Sequence, residues 1–279
     1  MKIYKNLNTA FIEELKRIHS DGSLVRSRGS SQKEILFTQI EITDPTQLDI
    51  QVPERKFNSR YATIEWLWYL SADPSVTNIG KFAKIWRDIQ DDNGEVESNY
   101  GNYIFEDQWE WVIGELSSDK DSRRATIAIN QPYHKDKNIK DYPCTQYLHF
   151  FIRDNQLHMG SYMRSNDVIF GFCNDIFTFC LFQQLMFNEL SKTYPELSLG
   201  KYSHSAGSLH VYSHHFDMMD SILDIKHEER EYSNAKIFKL RPEVTREYIV
   251  DSASFLPSES MTKEKMYEFL DRKTKELFL

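Results

Sequence analysis

The sequence predicts an α+β fold, in which strands and helices interleave without a regular period. Apolar residues recur at spacings of three and four in several segments, which is typical of helices that bury one face. Other segments alternate between apolar and polar residues and are bounded by turn signals, which indicates strands. Neither an internal repeat nor a regular βαβ succession is present, so a repeat protein or a doubly wound sheet is not predicted.

The first elements can be placed from their patterns. Residues 8–20 carry a helical apolar pattern, with Asn8 or Thr9 as the predicted cap. Residues 35–42 alternate in part and stop at Asp44-Pro45, which indicates a strand.

The next two segments are predicted to pack together. Residues 60–71 are apolar nearly all round and predict a buried helix, with one carboxylate, Glu65, in its middle. Residues 87–108 contain the turn signals Asn93-Gly94 and Tyr100-Gly101, which predict a loop or hairpin over that helix.

The remaining elements follow from the same rules. In order we predict a helix at 110–116, a strand at 125–129, two strands within 145–164 joined at Asp154-Asn155, a long core helix at 174–194, a strand at 208–216 and a charged amphipathic helix at 263–278. The tail from residue 227 is more charged than the rest, so we divide the chain into a catalytic domain, 1–226, and an extension of unknown role, 227–279.

The composition limits the possible functions. The chain has 279 residues, 40% hydrophobic and 14% aromatic, which is enough for a full core. A formal net charge of -8 argues against a protein that coats nucleic acid or anionic membranes. No apolar run approaches the ~20 residues of a spanning helix, so we expect a soluble cytoplasmic protein.

The cysteines and arginines carry the first chemical signal. Three cysteines cannot form a disulfide framework, and none lies in a zinc-binding spacing, so no metal is predicted. Cys144 follows a proline at the start of a predicted strand, where its sulfur could be presented at an edge. A lone cysteine is more often a small buried hydrophobe. Arg123, Arg124 and Arg164 could lower its pKa and bind an anion, although each alone is more often a solvated charge.

Three further side chains are candidates for a site. Glu65 in an aromatic helix must be paired, hydrogen-bonded or protonated. A raised pKa would suit a general acid or base, whereas a buried structural ion pair is the alternative. His210 and Tyr212 alternate on one strand face and offer two hydrogen-bonding groups, which by themselves are weak evidence.

Several motifs taken together are more specific. Residues 163–175, MRSNDVIFGFCND, place an arginine and a serine before a turn and an Asn-Asp pair at a helix start, where phosphate-binding groups come together. With SNYG at 98–101, SRR at 122–124, PC at 143–144 and GSLHVYS at 207–213, the chain resembles the thymidylate synthase and pyrimidine hydroxymethylase superfamily. The resemblance covers about residues 26 to 225. It implies a large mixed sheet flanked by helices and a homodimer formed by back-to-back sheets.

The resemblance also implies a role for each matching residue. Cys144 is the nucleophile that adds to C6 of a pyrimidine nucleotide, Glu65 organises water and proton transfers, and Tyr100 lies beside the reacting carbon. The co-substrate implied is 5,10-methylenetetrahydrofolate. The implied nucleotide ligands are Arg28, Arg164 and Ser165 for the phosphate, Arg123 and Arg124 from the partner subunit, Asp175 for the base, and His210 and Tyr212 for the sugar. The implied folate-side residues are Trp86, Asp167 and Gly171. Arg26 is close to Arg28, and the sequence does not decide between them.

Two departures from the synthases indicate the subtype. The synthases have an asparagine where this chain has Asp175, and a carboxylate suits the amino group and unprotonated N3 of cytosine better. The phage-type deoxycytidylate hydroxymethylases are similar in this respect. The hydrophobic C-terminal segment that closes over folate in the synthases is missing, and Ile89 stands where they tend to have tryptophan. Water reaching the methylene intermediate would give a hydroxymethyl product.

The sequence therefore predicts a deoxycytidylate 5-hydroxymethyltransferase. The alternatives are a thymidylate synthase or hydroxymethylase that uses dUMP, and a hydroxymethylase that uses CMP. A protein that binds nucleotides or RNA without turnover is the alternative from another class, and the simultaneous presence of the thiol, Glu65 and the arginines argues against it.

Overall fold

A computed structural model describes residues 1–27, 29–135, 140–225, 235–251 and 260–279. Its centre is an eight-stranded mixed sheet in the order β1-β3-β8-β6-β5-β4, with β2 paired to β3 and β7 paired to β8. The strands are β1 Lys2–Tyr4, β2 Ser23–Ser27, β3 Ser30–Ile42, β4 Thr126–Ala128, β5 Thr145–Arg153, β6 Gln156–Met163, β7 Asn166–Asp167 and β8 Ser198–Tyr212. The predicted α+β class is confirmed.

Helices flank this sheet. The α-helices of the described residues are α1 Leu7–Asp21, α2 Ser59–Ser71, α3 Lys84–Ile89, α4 Gly101–Tyr103, α5 Trp109–Ser118, α6 Gly171–Leu190, α7 Phe216–Leu223, α8 Arg246–Asp251 and α9 Lys263–Leu277. A π-helical turn, Ile104–Gln108, joins α4 to α5. Among the described residues no helix is both long and apolar enough to cross a bilayer.

Helix α6 is the centre of the core. Its apolar side chains are buried against the sheet and against α2, and Phe182 lies within 6.5 Å of the Trp66 and Trp109 ring centroids. Two buried glutamines donate to backbone carbonyls: Gln183 donates to Leu157 O at 2.9 Å, and Gln184 donates to Phe238 O at 3.0 Å. Buried amides fix the helix because each would be costly without a partner.

The C-terminal region packs on the same core. Asn188 of α6 donates to the carbonyls of Arg241 and Val244 at 2.8 Å each. Leu277 and Phe278 are buried, and Phe278 forms an antiparallel bridge with Leu240. The predicted helix at 263–278 is confirmed as α9. The division of the chain at residue 226 stays a prediction.

The two faces of the sheet differ in polarity. Along β5, Leu148 and Phe150 are buried beneath the helices, whereas Tyr147, His149 and Phe151 point to the other face and stay partly accessible. Glu41, Lys201 and Ser203 of the neighbouring strands line the same shallow depression. The described part of the chain thus leaves one sheet face uncovered by helices.

Several predicted boundaries were wrong. The cap of α1 is Asn6, whose side chain accepts from Thr9 N at 2.9 Å, because Asn8 is drawn inside to accept from Gln51 N. The long core helix begins at Gly171, not at residue 174, and ends at Leu190 rather than at residue 194. The late strand begins at Ser198 and stops at Tyr212. Its first half, SLGKYSHS, pairs with β3 and β6 and has too few apolar residues to give a clear strand pattern.

The region 87–108 is more helical than predicted. A turn does lie at Asn93-Gly94, where Gly94 has φ +79. Tyr100-Gly101 instead opens the helix α4. A Cβ on Gly101 would lie 1.7 Å from the Tyr69 carbonyl oxygen. Glycine is therefore required there for close backbone approach and not for a turn.

Candidate active site

The loop that carries Cys144 is held by the SNYG segment. Asp141, three residues before the cysteine, accepts from Ser98 N at 2.6 Å and from Ser98 Oγ at 2.7 Å. Cys144 itself is partly exposed at the start of β5. A rigid loop beneath a partly exposed thiol is what a nucleophile requires.

Arg164 lies against this loop from the end of β6. Its guanidinium donates to the carbonyls of Tyr142 at 2.8 Å and Pro143 at 3.2 Å, and its backbone N–H donates to Cys144 O at 2.8 Å. Ser165 follows it and is half-buried. The structure thus places the predicted phosphate arginine beside the loop of the predicted nucleophile.

Tyr100 reaches the same place from the other side. Asn99 donates to Trp68 O at 2.9 Å and fixes the segment to α2, while the Tyr100 ring stacks on Tyr69 with centroids 5.2 Å apart. Burial raises the pKa of Tyr100, and the charges of Cys144 and Asp175 raise it further. The phenol therefore stays protonated and can donate a hydrogen bond beside the sulfur.

Glu65 is the buried carboxyl of the site. Burial raises its pKa to about 8, with the Asp175 charge as the second cause, while hydrogen bonds from Tyr61 and Tyr69 act in the opposite direction. Its Oε2 has no hydrogen-bond partner among the described residues. A carboxyl that is mostly protonated at neutral pH, with one oxygen available, suits proton transfer.

Trp86 supports Glu65 from behind. The indole of Trp86 is buried against Trp68 and donates to Tyr61 OH at 3.0 Å. The described contacts of Trp86 therefore lead to Glu65 through Tyr61. Its predicted contact with folate stays a prediction.

Asp175 lies on α6, four residues after its first residue, Gly171. It accepts from Asn166 Nδ2 at 2.7 Å. Burial raises its pKa to about 7, the Asn166 hydrogen bond opposes this shift, and the Asp167 charge adds to it. Gly171 leaves room for the pair, because a Cβ there would lie 3.1 Å from Asn166 Nδ2 and 3.3 Å from Asp175 Oδ2.

His210 and Tyr212 lie on one face of β8, as predicted, with ring centroids 4.7 Å apart. His210 is 2% exposed, and burial lowers its pKa. Its Nε2 has no hydrogen-bond partner in the described part of the chain. A neutral imidazole with an unused nitrogen is suited to a sugar hydroxyl.

Arg55 is a site residue that the sequence reasoning missed. It lies at the end of a short helical turn, is 4% exposed, and places its guanidinium 4.5 Å from the Phe170 ring centroid. Its Nε has no partner among the described residues. Arg55 lies between Glu54 and Lys56 in a charged stretch, so no signal in the sequence marked it as buried. Asp167 lies in the same region and accepts from Phe170 N at 2.9 Å.

Arg123 and Arg124 are not brought to Cys144 within the subunit. Both are exposed before β4, and Arg124 is paired with Glu115 at 2.9 Å. Ala125 O accepts from Phe150 N, so Arg124 lies near Phe151, which is about 23 Å along β5 from Cys144 at ~3.3 Å per residue. Arg28 lies outside the described residues.

A model of the thymidylate synthase family matches residues 9–252. The chain belongs to the thymidylate synthase family. The predicted resemblance and the predicted one-carbon transferase acting on a pyrimidine nucleotide are confirmed. No cluster of His, Cys, Asp or Glu that could hold a metal ion occurs in the described ranges.

Three curated relatives that match the chain are hydroxymethyltransferases. The chain is 34% identical over 175 residues to the deoxycytidylate 5-hydroxymethyltransferase of Enterobacteria phage T6, covering 58% of this chain and 71% of the relative. The phage T4 enzyme of the same name is 34% identical over 179 residues, with the same coverage. The deoxyuridylate hydroxymethyltransferase of Bacillus phage SP01 is 27% identical over 218 residues, covering 72% of this chain and 56% of the relative.

Proposed function

We propose that this protein is a deoxycytidylate 5-hydroxymethyltransferase, which adds a hydroxymethyl group from methylenetetrahydrofolate to C5 of dCMP. The observation that carries the proposal is Asp175, a carboxyl with a pKa of about 7 that shares a buried site with Glu65 and Tyr100. The similarity to the two phage deoxycytidylate enzymes supports the same base.

The chemistry of Asp175 matches the Watson–Crick edge of cytosine. Cytosine presents an amine donor at C4 and an acceptor at N3, whereas uracil presents an acceptor at O4 and a donor at N3. A carboxyl with a pKa near neutrality can offer one accepting oxygen and one O–H group. Those two groups satisfy the amine and N3 together, and no second protein group is needed.

The same proton assists the covalent step. When the Cys144 thiolate bonds to C6, the C5=C6 pair moves to C4–C5 and the C4=N3 pair moves onto N3. N3 takes the proton from Asp175, which becomes a carboxylate, so charge and electrons balance. The product is an enamine whose C5 is nucleophilic.

Glu65 and Tyr100 serve the later proton movements. The free Oε2 of Glu65 can hold a water, and the ionised fraction of the carboxyl, which a pKa of about 8 still leaves at neutral pH, can accept the proton lost from C5. The Tyr100 phenol, kept neutral by its surroundings, hydrogen-bonds beside the sulfur as the C6 bond breaks. His210 and Tyr212 would bind the sugar, and Arg164 with Ser165 would bind the phosphate.

The site contains groups that fit a folate. The unpartnered Nε of buried Arg55 suits a carboxylate, the accessible Phe170 ring suits an aromatic ring system, and Asp167 suits ring N–H groups. Bound methylenetetrahydrofolate would supply a one-carbon unit at the oxidation level of formaldehyde, so that water gives the hydroxymethyl group and leaves tetrahydrofolate. Asp167, Gly171 and Trp86 stay proposed folate-side residues.

A homodimer is part of the proposal. The uncovered sheet face, with Tyr147, Phe151 and Lys201, offers a surface for a second copy. Arg123 and Arg124 lie too far from Cys144 of their own subunit, which supports donation of their guanidinium groups to the partner's phosphate site.

The test is substitution of Asp175. Asp175→Asn offers an amide, which can pair with both O4 and N3–H of uracil, so the variant should lose activity on dCMP and gain activity on dUMP. The matched control is Asp217→Asn, an exposed aspartate on the first turn of α7. A wild-type protein that prefers dUMP, the substrate named for the Bacillus phage SP01 relative, would reject the proposal. If the wild-type protein prefers CMP, the proposed base, cytosine, is kept and the proposed sugar, deoxyribose, is rejected.

A further inference from the structure

A chain of buried hydrogen bonds leads away from Asp175. Its other members have no role in the proposed mechanism. Asn166 donates to Asp175 Oδ2 at 2.7 Å, and Asn166 Oδ1 lies 3.0 Å from His204 Nε2. His204 Nδ1 lies 3.0 Å from Tyr202 OH and 3.2 Å from Ser161 Oγ, and the two hydroxyl oxygens are 2.6 Å apart. All four residues behind Asp175 are buried.

The donors and acceptors of this chain fix one direction. An amide oxygen only accepts, so His204 Nε2 carries a hydrogen and donates to Asn166 Oδ1. His204 is neutral, because burial lowers its pKa to about 3. Its Nδ1 must then accept one hydroxyl hydrogen, while the other hydroxyl of the Tyr202–Ser161 pair donates across their 2.6 Å contact. Every hydrogen in the chain points toward Asp175.

The direction sets the order of donor and acceptor on Asp175. With Asn166 donating to Oδ2, that oxygen is an acceptor, and a proton on the carboxyl resides on Oδ1. A carboxyl with its proton on the opposite oxygen would present donor and acceptor in reverse order, which is the order that suits uracil. Which oxygen carries the proton therefore decides which base fits.

We propose that His204 and Asn166 are positioning residues that set base specificity by fixing the proton of Asp175 on Oδ1. This inference rests on the proposed function, because Asp175 must contact the base. His204 acts through Asn166 and has no contact with substrate. The Phe172 ring, edge-on to His204 at a centroid distance of 5.4 Å, holds the imidazole in place.

The experiment compares variants of His204 in the full-length protein. His204→Phe keeps a planar ring against Phe172 and removes both hydrogen bonds, whereas His204→Gln keeps an N–H that can reach Asn166 Oδ1. The matched core control is Thr178→Val, a substitution of similar volume at a buried position one turn beyond Asp175 on α6. For each protein, kcat/KM is measured with dCMP and with dUMP, alongside the thermal midpoint.

The ratio of the two kcat/KM values is the decisive readout. We expect His204→Phe to lower the preference for dCMP over dUMP by roughly tenfold, which is the size of effect expected when one hydrogen bond no longer favours cytosine. His204→Gln should restore most of the preference, and Thr178→Val should leave it unchanged. A purely structural histidine would lower activity on both nucleotides in proportion, and that unchanged ratio would overturn the inference. A wild-type protein that itself prefers dUMP would instead overturn the proposed function.

Discussion

Replacing Glu65 by glutamine should change how the stability of the protein depends on pH. Glu65 has a pKa of about 8 in the folded protein against an ordinary value of 4.5, with burial as the main cause. The folded protein therefore keeps a proton that the unfolded chain has already released. The stability that the folded protein has with Glu65 protonated is fully present below pH 4.5 and is lost as the pH rises through the folded pKa of about 8.

The size of the effect follows from the two pKa values. Between about pH 5 and about pH 8, Glu65 alone should lower the free energy of unfolding by about 3 kcal/mol. Glutamine has nearly the same volume and does not titrate, so the Glu65→Gln variant should lack this part of the slope.

The assay is urea-induced unfolding of the ligand-free protein at both pH values. The change in the free energy of unfolding between the two pH values is compared for wild type and variant. Their difference isolates the contribution of Glu65, because Asp175 and the histidines titrate in both proteins. Glu268→Gln, at an exposed position on α9, is the control and should keep the wild-type slope. Equal slopes for wild type and Glu65→Gln would refute the assignment of a protonated buried carboxyl.

Three further predictions concern the nucleophile, the dimer and the backbone. Cys144→Ala should abolish turnover and leave dCMP binding by calorimetry largely intact; turnover equal to wild type would exclude the covalent step. Mixing inactive Cys144→Ala and Arg124→Ala subunits should restore about a quarter of wild-type activity, since half of random dimers are hybrids with one intact site; no recovery after proven subunit exchange would exclude donation across the interface. Gly101→Ala should destabilise the protein by about 3 kcal/mol or more, measured by urea unfolding, because its Cβ would meet Tyr69 O at 1.7 Å; an unchanged midpoint would contradict the close approach.

Sequence periodicity predicted the elements whose apolar side chains repeat. Helices α1, α2, α6 and α9 were found close to their predicted positions, and the turn at Asp154-Asn155 has the positive φ values that such a pair favours. The first half of β8 was missed, because its stability comes from pairing with two neighbouring strands and not from an apolar pattern. Short strands β1, β2 and β7 likewise depend on partners distant in the chain.

The site was predictable only where motifs carry it. Local residues and the family resemblance together predict Cys144, Glu65 and Asp175 as site residues, and the buried state of Glu65 followed from its apolar neighbours. The partners that shift or fix these groups lie far away in the chain: Asn166 meets His204 only because β7 pairs with β8. Arg55 was missed for the same reason, since its contact with Phe170 joins segments more than a hundred positions apart.

The central claim is that Asp175 makes cytosine the substrate base and that water completes the product. The direct measurement is incubation of the purified protein with methylenetetrahydrofolate and, separately, dCMP, CMP and dUMP, with mass analysis of the nucleotide and determination of the folate oxidation state. From the proposed function we expect a hydroxymethylated dCMP together with tetrahydrofolate. Thymidylate and dihydrofolate formed from dUMP would contradict it.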